Sequence, residues 1–204
     1  QSGHPGAEDA EYLLAETLSK NGIYHGGKGS YFQEFPLLVT KEKKAALTLL
    51  DHPLGKISFI LGADFTVVTH SGSNSVTAPV VLVGHGYVRP DKDRDDYAGA
   101  DVKGKIVVVL RGYPESPWDF HEDYERRHMV RWAKARGAAA VLFYDGPRIV
   151  NGAAMPAESY DPMLPLLYIN DRALSLLLDG TGYTLRTYQE KIKRAPLPLE
   201  TRKR

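Results

Sequence analysis

Ile106 to Leu110 is an unbroken apolar run, Ile-Val-Val-Val-Leu, and four of its five residues are β-branched. A strand sends successive side chains to opposite faces, so a run that is apolar at every position needs cover on both. Lys103-Gly104-Lys105 precedes the run and reads as a turn, because glycine reaches backbone conformations closed to other residues. Three further runs share the character: Pro79 to Val83, Ala139 to Tyr144 and Pro165 to Ile169. All are too short for buried helices and read as strands. A sheet built from them must be covered on both faces by helices or by a second sheet.

The rest of the chain is read around these strands. Pro5 to Gly22 has Ala10, Leu13, Leu14, Thr17 and Leu18 at helical spacing, acidic residues near its start and Gly22 placed to end it. Tyr31 to Thr40 reads as a strand with Pro36 at an edge or bulge. Ala45 to Leu50 and Lys56 to Leu61 are short apolar runs split by a turn at Pro53 and Gly55, and Phe65 to Thr69 is another. His70 to Thr77 is a polar loop and the expected boundary between two regions. Beyond it, Glu122 to Arg136 reads as a helix with Met129, Trp132 and Ala133 on one side, stopped by Gly137. Asp171 is expected to cap a short helix through Leu178, and Tyr183 to Tyr188 reads as a last strand. The division expected is 1–77 for a helix-and-strands segment, 78–190 for a domain with its own core, and 191–204 for a basic tail. The fold class expected is α+β and rich in strands.

Composition excludes several functions. The net charge is +1, which supplies no field for nucleic acid or an acidic membrane surface. No cysteine is present, so thiolate chemistry and disulfides are excluded. No apolar run approaches the roughly 20 residues of a membrane-spanning helix. No leader is visible at Gln1, and Gln1-Ser2-Gly3 reads as the start of a trimmed chain.

Candidate chemical motifs fail on their own terms. His121-Glu122 opens like the zinc helix HExxH, but Glu125 stands where the second His ligand belongs, and His128 lies two helical turns from His121. Gly22 to Lys28 resembles a phosphate loop, yet Gly29 replaces its Ser or Thr, and a helix precedes it where a strand should. Asp93, Asp95, Asp96 and Asp101 lack the spacing of a calcium loop. No Gly-x-Ser-x-Gly elbow occurs. Trp118, Phe120 and Tyr124 sit in or beside a loop with Pro114 and Pro117, where they could contact a peptide or partner or fold into a small satellite core.

As a pattern, DDYAGADVKGKIVVVLRG resembles the core motif of the protease-associated domain, a non-catalytic module carried by several peptidase families. AKARGAAAVLFYDG is similar to that domain's helix-to-strand segment. With AEDAEYLLAETLSKNG, YFQEF and LGADFTVVTHSGSNSVTAPVVLVGHGYV in order ahead of it, nearly the whole chain resembles the front end of the di-zinc aminopeptidase family, which includes the glutamate carboxypeptidase type. His85 departs from the aromatic residue usual between Gly84 and Gly86 in that family.

The resemblance implies a protease-associated-type β-sandwich or open barrel flanked by short helices. Gly84, Gly86, Asp96, Tyr97, Asp101, Gly104, Lys105, Gly112 and Gly137 are its structural motif residues. The family's catalytic residues are a His-x-Asp pair, a bridging Asp, a Glu-Glu pair and further Asp and His ligands. They come later in the family's chains, and this chain is expected to hold none of them. The expectation is therefore a non-enzymatic accessory region with no cofactor of its own, zinc being bound in the parent's catalytic domain. Its partners would be that domain and a peptide or protein substrate, with no nucleic acid and no membrane span, in a secreted or periplasmic setting. The alternatives are a stand-alone protein- or peptide-binding or sorting module, and the inserted domain of a subtilisin-type protease.

Overall fold

A computed structural model describes residues 5–26, 29–32, 44–69, 71–116, 126–147 and 161–201. The chain divides into two compact units, Gln1–Val39 and Thr40–Arg204.

The first unit holds helix α1, Pro5–Lys20. Its end follows the sequence signal. Gly22 takes φ 70°, the Ile23 N–H donates to the Leu18 carbonyl at 3.0 Å, and the Gly22 N–H to that of Ser19 at 3.0 Å. This pattern closes a helix on a left-handed glycine. The apolar stripe is bare, with Leu13 and Leu14 each more than half exposed. The strand expected over 31–40 lies outside the described residues from position 33 onward.

The second unit begins with a hairpin of β1, Thr48–His52, and β2, Gly55–Ser58, turning at Pro53 and Leu54. The remaining elements are β3 (Phe65–Val67), β4 (Val80–Leu82), β5 (Val88–Arg89), β6 (Arg94–Asp95), β7 (Ile106–Leu110), α2 (Arg126–Ala135), β8 (Ala140–Tyr144), β9 (Leu166–Ile169), α3 (Asp171–Leu178), α4 (Leu185–Arg194) and β10 (Leu199–Thr201). Six strands form one sheet in the order β10-β4-β7-β8-β9-β3, parallel from β4 to β9 and antiparallel at both edges.

The chain is α+β and strand-rich, as expected, and its main β layer is this open sheet. Strand alternation sorts the core. Val107 and Val109 face a cluster with Met129, Val130 and Ala133 of α2. Val108 and Leu110 face another with Leu174 of α3 and Tyr188 and Ile192 of α4. Helices therefore cover both faces, as the unbroken run of β7 demands. Each such Val or Leu contributes about 1.5–3 kcal/mol by leaving water.

Two expectations are corrected. Tyr183–Tyr188 is not a strand: Tyr188 and Ile192, four apart, bury one face of α4. The Thr184 hydroxyl accepts from the Thr187 N–H at 3.2 Å, and the Thr187 hydroxyl accepts from the Thr184 N–H at 2.9 Å, which starts a helix there. The cap of α3 is Asn170, whose side chain accepts from the Ala173 N–H at 3.0 Å, while Asp171 is the first helical residue. Within 191–204, α4 runs to Arg194 and β10 joins the sheet beside β4. β3 pairs with β9, so the sheet draws strands from both sides of position 77.

Candidate functional site

The motif residues converge where β4 and β7 leave the sheet. β4 runs into Gly84-His85-Gly86, whose glycines take φ 62° and 73°. Their backbone is left-handed, and a Cβ on Gly86 would stand 3.1 Å from Val109 Cγ1. The Gly84 N–H donates to the Tyr188 hydroxyl at 3.2 Å, and the Leu110 N–H to the Gly84 carbonyl at 2.8 Å. His85 is 2% exposed. Its Nδ1 lies 3.0 Å from the Leu110 carbonyl oxygen, which can only accept, so Nδ1 carries the proton. Nε2 is then a buried acceptor without a partner among the described residues. A Cβ on Gly112, at φ 150°, would stand 2.5 Å from His85 Cε1, so glycine there makes room for the ring.

Beside this turn, β5 and β6 bring in an ion pair. Asp96 is fully buried and Arg94 nearly so, with Arg94 Nε 2.5 Å from Asp96 Oδ1. Asp96 Oδ2 accepts from the Tyr87 N–H at 3.0 Å, and the Asp96 N–H returns a bond to the Tyr87 carbonyl at 2.8 Å. The other end of Arg94 donates to the Ile192 carbonyl at 2.6 Å, near the negative end of the α4 dipole. Burial depresses His85 to about 4, with the charges of Arg94 and Lys193 adding to it against the Leu110 bond. Burial also lifts Asp96 to about 6, outweighing Arg94 and the Tyr87 N–H. Every group here except His85 Nε2 is engaged with backbone or with its ion-pair partner. The arrangement ties β4, β6, β7 and α4 together and offers no exposed nucleophile.

The other motif residues hold turns or meet cations singly. Tyr97 is buried with the Arg136 guanidinium 4.7 Å from its ring centroid, and burial raises its hydroxyl well above the usual range. The Gly104 N–H bonds the Gly137 carbonyl at 2.8 Å, fixing the turn before β7 against the end of α2. Asp95 lies 3.4 Å from Arg136, Asp101 3.4 Å from Lys105, and Asp96 against Arg94. The acidic loop is thus divided among three cations. Asp93 takes a left-handed φ of 50° after a short 3-10 turn, a conformation Asp tolerates.

Trp118, Phe120, Tyr124 and His121 lie outside the described residues. His128 is on α2, its ring 5.6 Å from that of Trp132 and its Nδ1 3.0 Å from Arg131. One sequence expectation needs correcting at this point. His-x-Asp spacing does occur, at His121 and Asp123, also outside the described residues. Among the described residues no group of three or more His, Asp or Glu is placed to hold a metal ion. No described helix is long and apolar enough to cross a membrane.

The sequence reading missed the part played by α4 and by Arg94. Tyr188 and Ile192 reach the motif from about a hundred residues away, and no local pattern announces that. The opposite charges of Arg94 and Asp96, two residues apart, were the available signal.

A family model described as PA domain matches residues 76–177. No curated protein matches the chain. Among solved structures, BSAP, a zinc aminopeptidase from Bacillus subtilis, is similar at 16% identity with a TM-score of 0.42, over 98% of this chain. The chain spans 38% of that structure's length.

Proposed function

The chain belongs to the PA domain family, and from that premise we propose that it is a non-catalytic accessory region of a secreted or periplasmic zinc-dependent aminopeptidase. Its role there is to shield the parent's active-site cleft and to help select peptide substrates. The observation that carries this reading is the distribution of bare apolar surface. Among the described residues, every strongly exposed large apolar side chain except Met163 lies between Tyr12 and Leu61, ahead of the matched region. Soluble domains rarely leave such side chains concentrated unless a partner covers them. The segments that resemble the front end of the di-zinc aminopeptidases start in the same stretch, and they supply the class of partner.

The test is made on the parent. Replacing Thr40–Thr201 by a short linker removes both edge strands with the rest of the sheet. The expected result is a changed ratio of kcat/KM between long and short peptides, with the zinc content intact. An unchanged length profile would sink the proposal. Stoichiometric zinc on this chain alone would overturn its non-catalytic character and point to His121, Asp123 and His128.

A second reading, a stand-alone binding module, draws on the closed core of Thr40–Arg204, whose sheet has both faces covered within the unit. It expects the isolated chain to be a monodisperse monomer in light scattering.

A further inference from the structure

Among the described residues β10 is an outer strand, hydrogen-bonded in the sheet only to β4. A groove of about 660 Å³ runs beside it, floored by Leu199 and Val81 and walled by the turns at Gly99–Asp101 and Gly180–Thr181. Those walls are low. Gly99 and Gly180 take φ 75° and 77°, and a Cβ on either would meet nothing within 4 Å. Backbone from outside can therefore approach β10 closely. The groove's charged lining residues are Asp51, Asp101 and Glu200, all acidic. Lys105 stands behind them, 3.1 Å from Glu200 and 3.4 Å from Asp101.

We propose that the outer edge of β10 takes an extended basic peptide segment as an added strand, with the carboxylates of Asp51 and Asp101 receiving its Lys or Arg side chains. An edge strand offers a row of backbone donors and acceptors to any extended chain. Charge chooses the occupant. A second copy paired edge to edge would bring Glu200 and Asp101 against the same carboxylates, and facing like charges are unfavourable. A basic strand would add cations to a lining in which Lys105 already meets Asp101 and Glu200 but three carboxylates stand together. The site goes beyond the accessory reading and stands without it, since a sheet edge would take the segment whatever the parent's chemistry.

Fluorescence anisotropy of the whole chain with labelled alternating Thr/Lys, Thr/Glu and N-methylated Thr/Lys peptides tests this. Saturable binding of the Thr/Lys peptide is expected, with none of the Thr/Glu peptide. N-methylation at alternate residues leaves the charge and removes the ladder donors, so it should weaken binding about ten-fold. Asp101→Asn combined with Asp51→Asn should weaken it about five-fold at low salt. Equal binding of the N-methylated peptide would reduce the site to a charged surface and overturn strand addition. No saturable binding of the Thr/Lys peptide would overturn the site itself. Sedimentation showing a dimer that the Thr/Lys peptide does not disrupt would give the edge to a second copy and overturn the proposal equally.

Discussion

The buried turn around Gly84-His85-Gly86 and the open edge along β10 both carry carboxylates, and they treat them in opposite ways. Asp96 is fully buried against Arg94, and a backbone N–H of Tyr87 bonds its second oxygen. Asp101, five residues after Asp96, has a side chain 76% exposed. The first is held on all sides and fixes four elements. The second stands in water at the lip of a groove. Charge enclosed in a core rarely stabilises by itself but is costly to break, whereas charge at a rim contributes little to stability and chooses partners. The comparison separates two parts of one motif: Asp96 holds the fold, while Asp101 stands at the groove where the β10 site is proposed.

Removing one half of the buried pair should give the largest effect. Asp96→Ala leaves Arg94 buried without its partner and should cost about 3–5 kcal/mol in urea unfolding. A loss like that of a surface residue would mean that Arg94 escapes to water. Next comes Gly86→Ala, which forces a left-handed backbone on alanine and a Cβ 3.1 Å from Val109. It should cost about 2 kcal/mol, read in the same unfolding assay.

The pH dependence sharpens the same contrast. His85 sits at about 4 in the fold against an ordinary 6.5, so the unfolded chain binds its proton first. Acidification from 6.5 to 4 therefore removes about 3 kcal/mol through this residue. Asp96 sits at about 6 against an ordinary 3.8, so the folded chain binds that proton first. Acidification from 6 to 3.8 restores about 3 kcal/mol. The two oppose each other. Stability of the unaltered chain should be nearly level through these residues between pH 6 and 4, while His85→Gln should gain on acidification and Asp96→Asn should lose. Urea midpoints across that range check the signs, and parallel profiles for all three proteins would break the account. The smallest effect belongs to the open edge. Asp101→Asn should move stability by less than about 0.5 kcal/mol, measured by thermal melting.

What was legible in the sequence follows the range of the interactions. The unbroken run of β7 announced a sheet covered on both faces, and Gly22 announced the end of α1, because both signals are local. The family motif around Gly104 was equally plain. The fate of Tyr183–Tyr188 was hidden because a short apolar pair reads as a strand until Ile192, another turn on, is counted with it. β10 was hidden for a different reason. Leu-Glu-Thr has little strand signal of its own and becomes a strand only by pairing with β4. The groove joins Asp51, Asp101, Gly180 and Glu200 from four parts of the chain, so no spacing rule could assemble it.

Backbone hydrogen exchange, with and without the Thr/Lys peptide, tests the central contrast most directly. The amides of Gly84, Tyr87 and Asp96 should be among the slowest and should not change when peptide is added, while those of Leu199 to Thr201 should exchange faster and slow on binding. Protection gained at Tyr87 or Asp96 with none at β10 would put recognition in the buried motif and contradict the account.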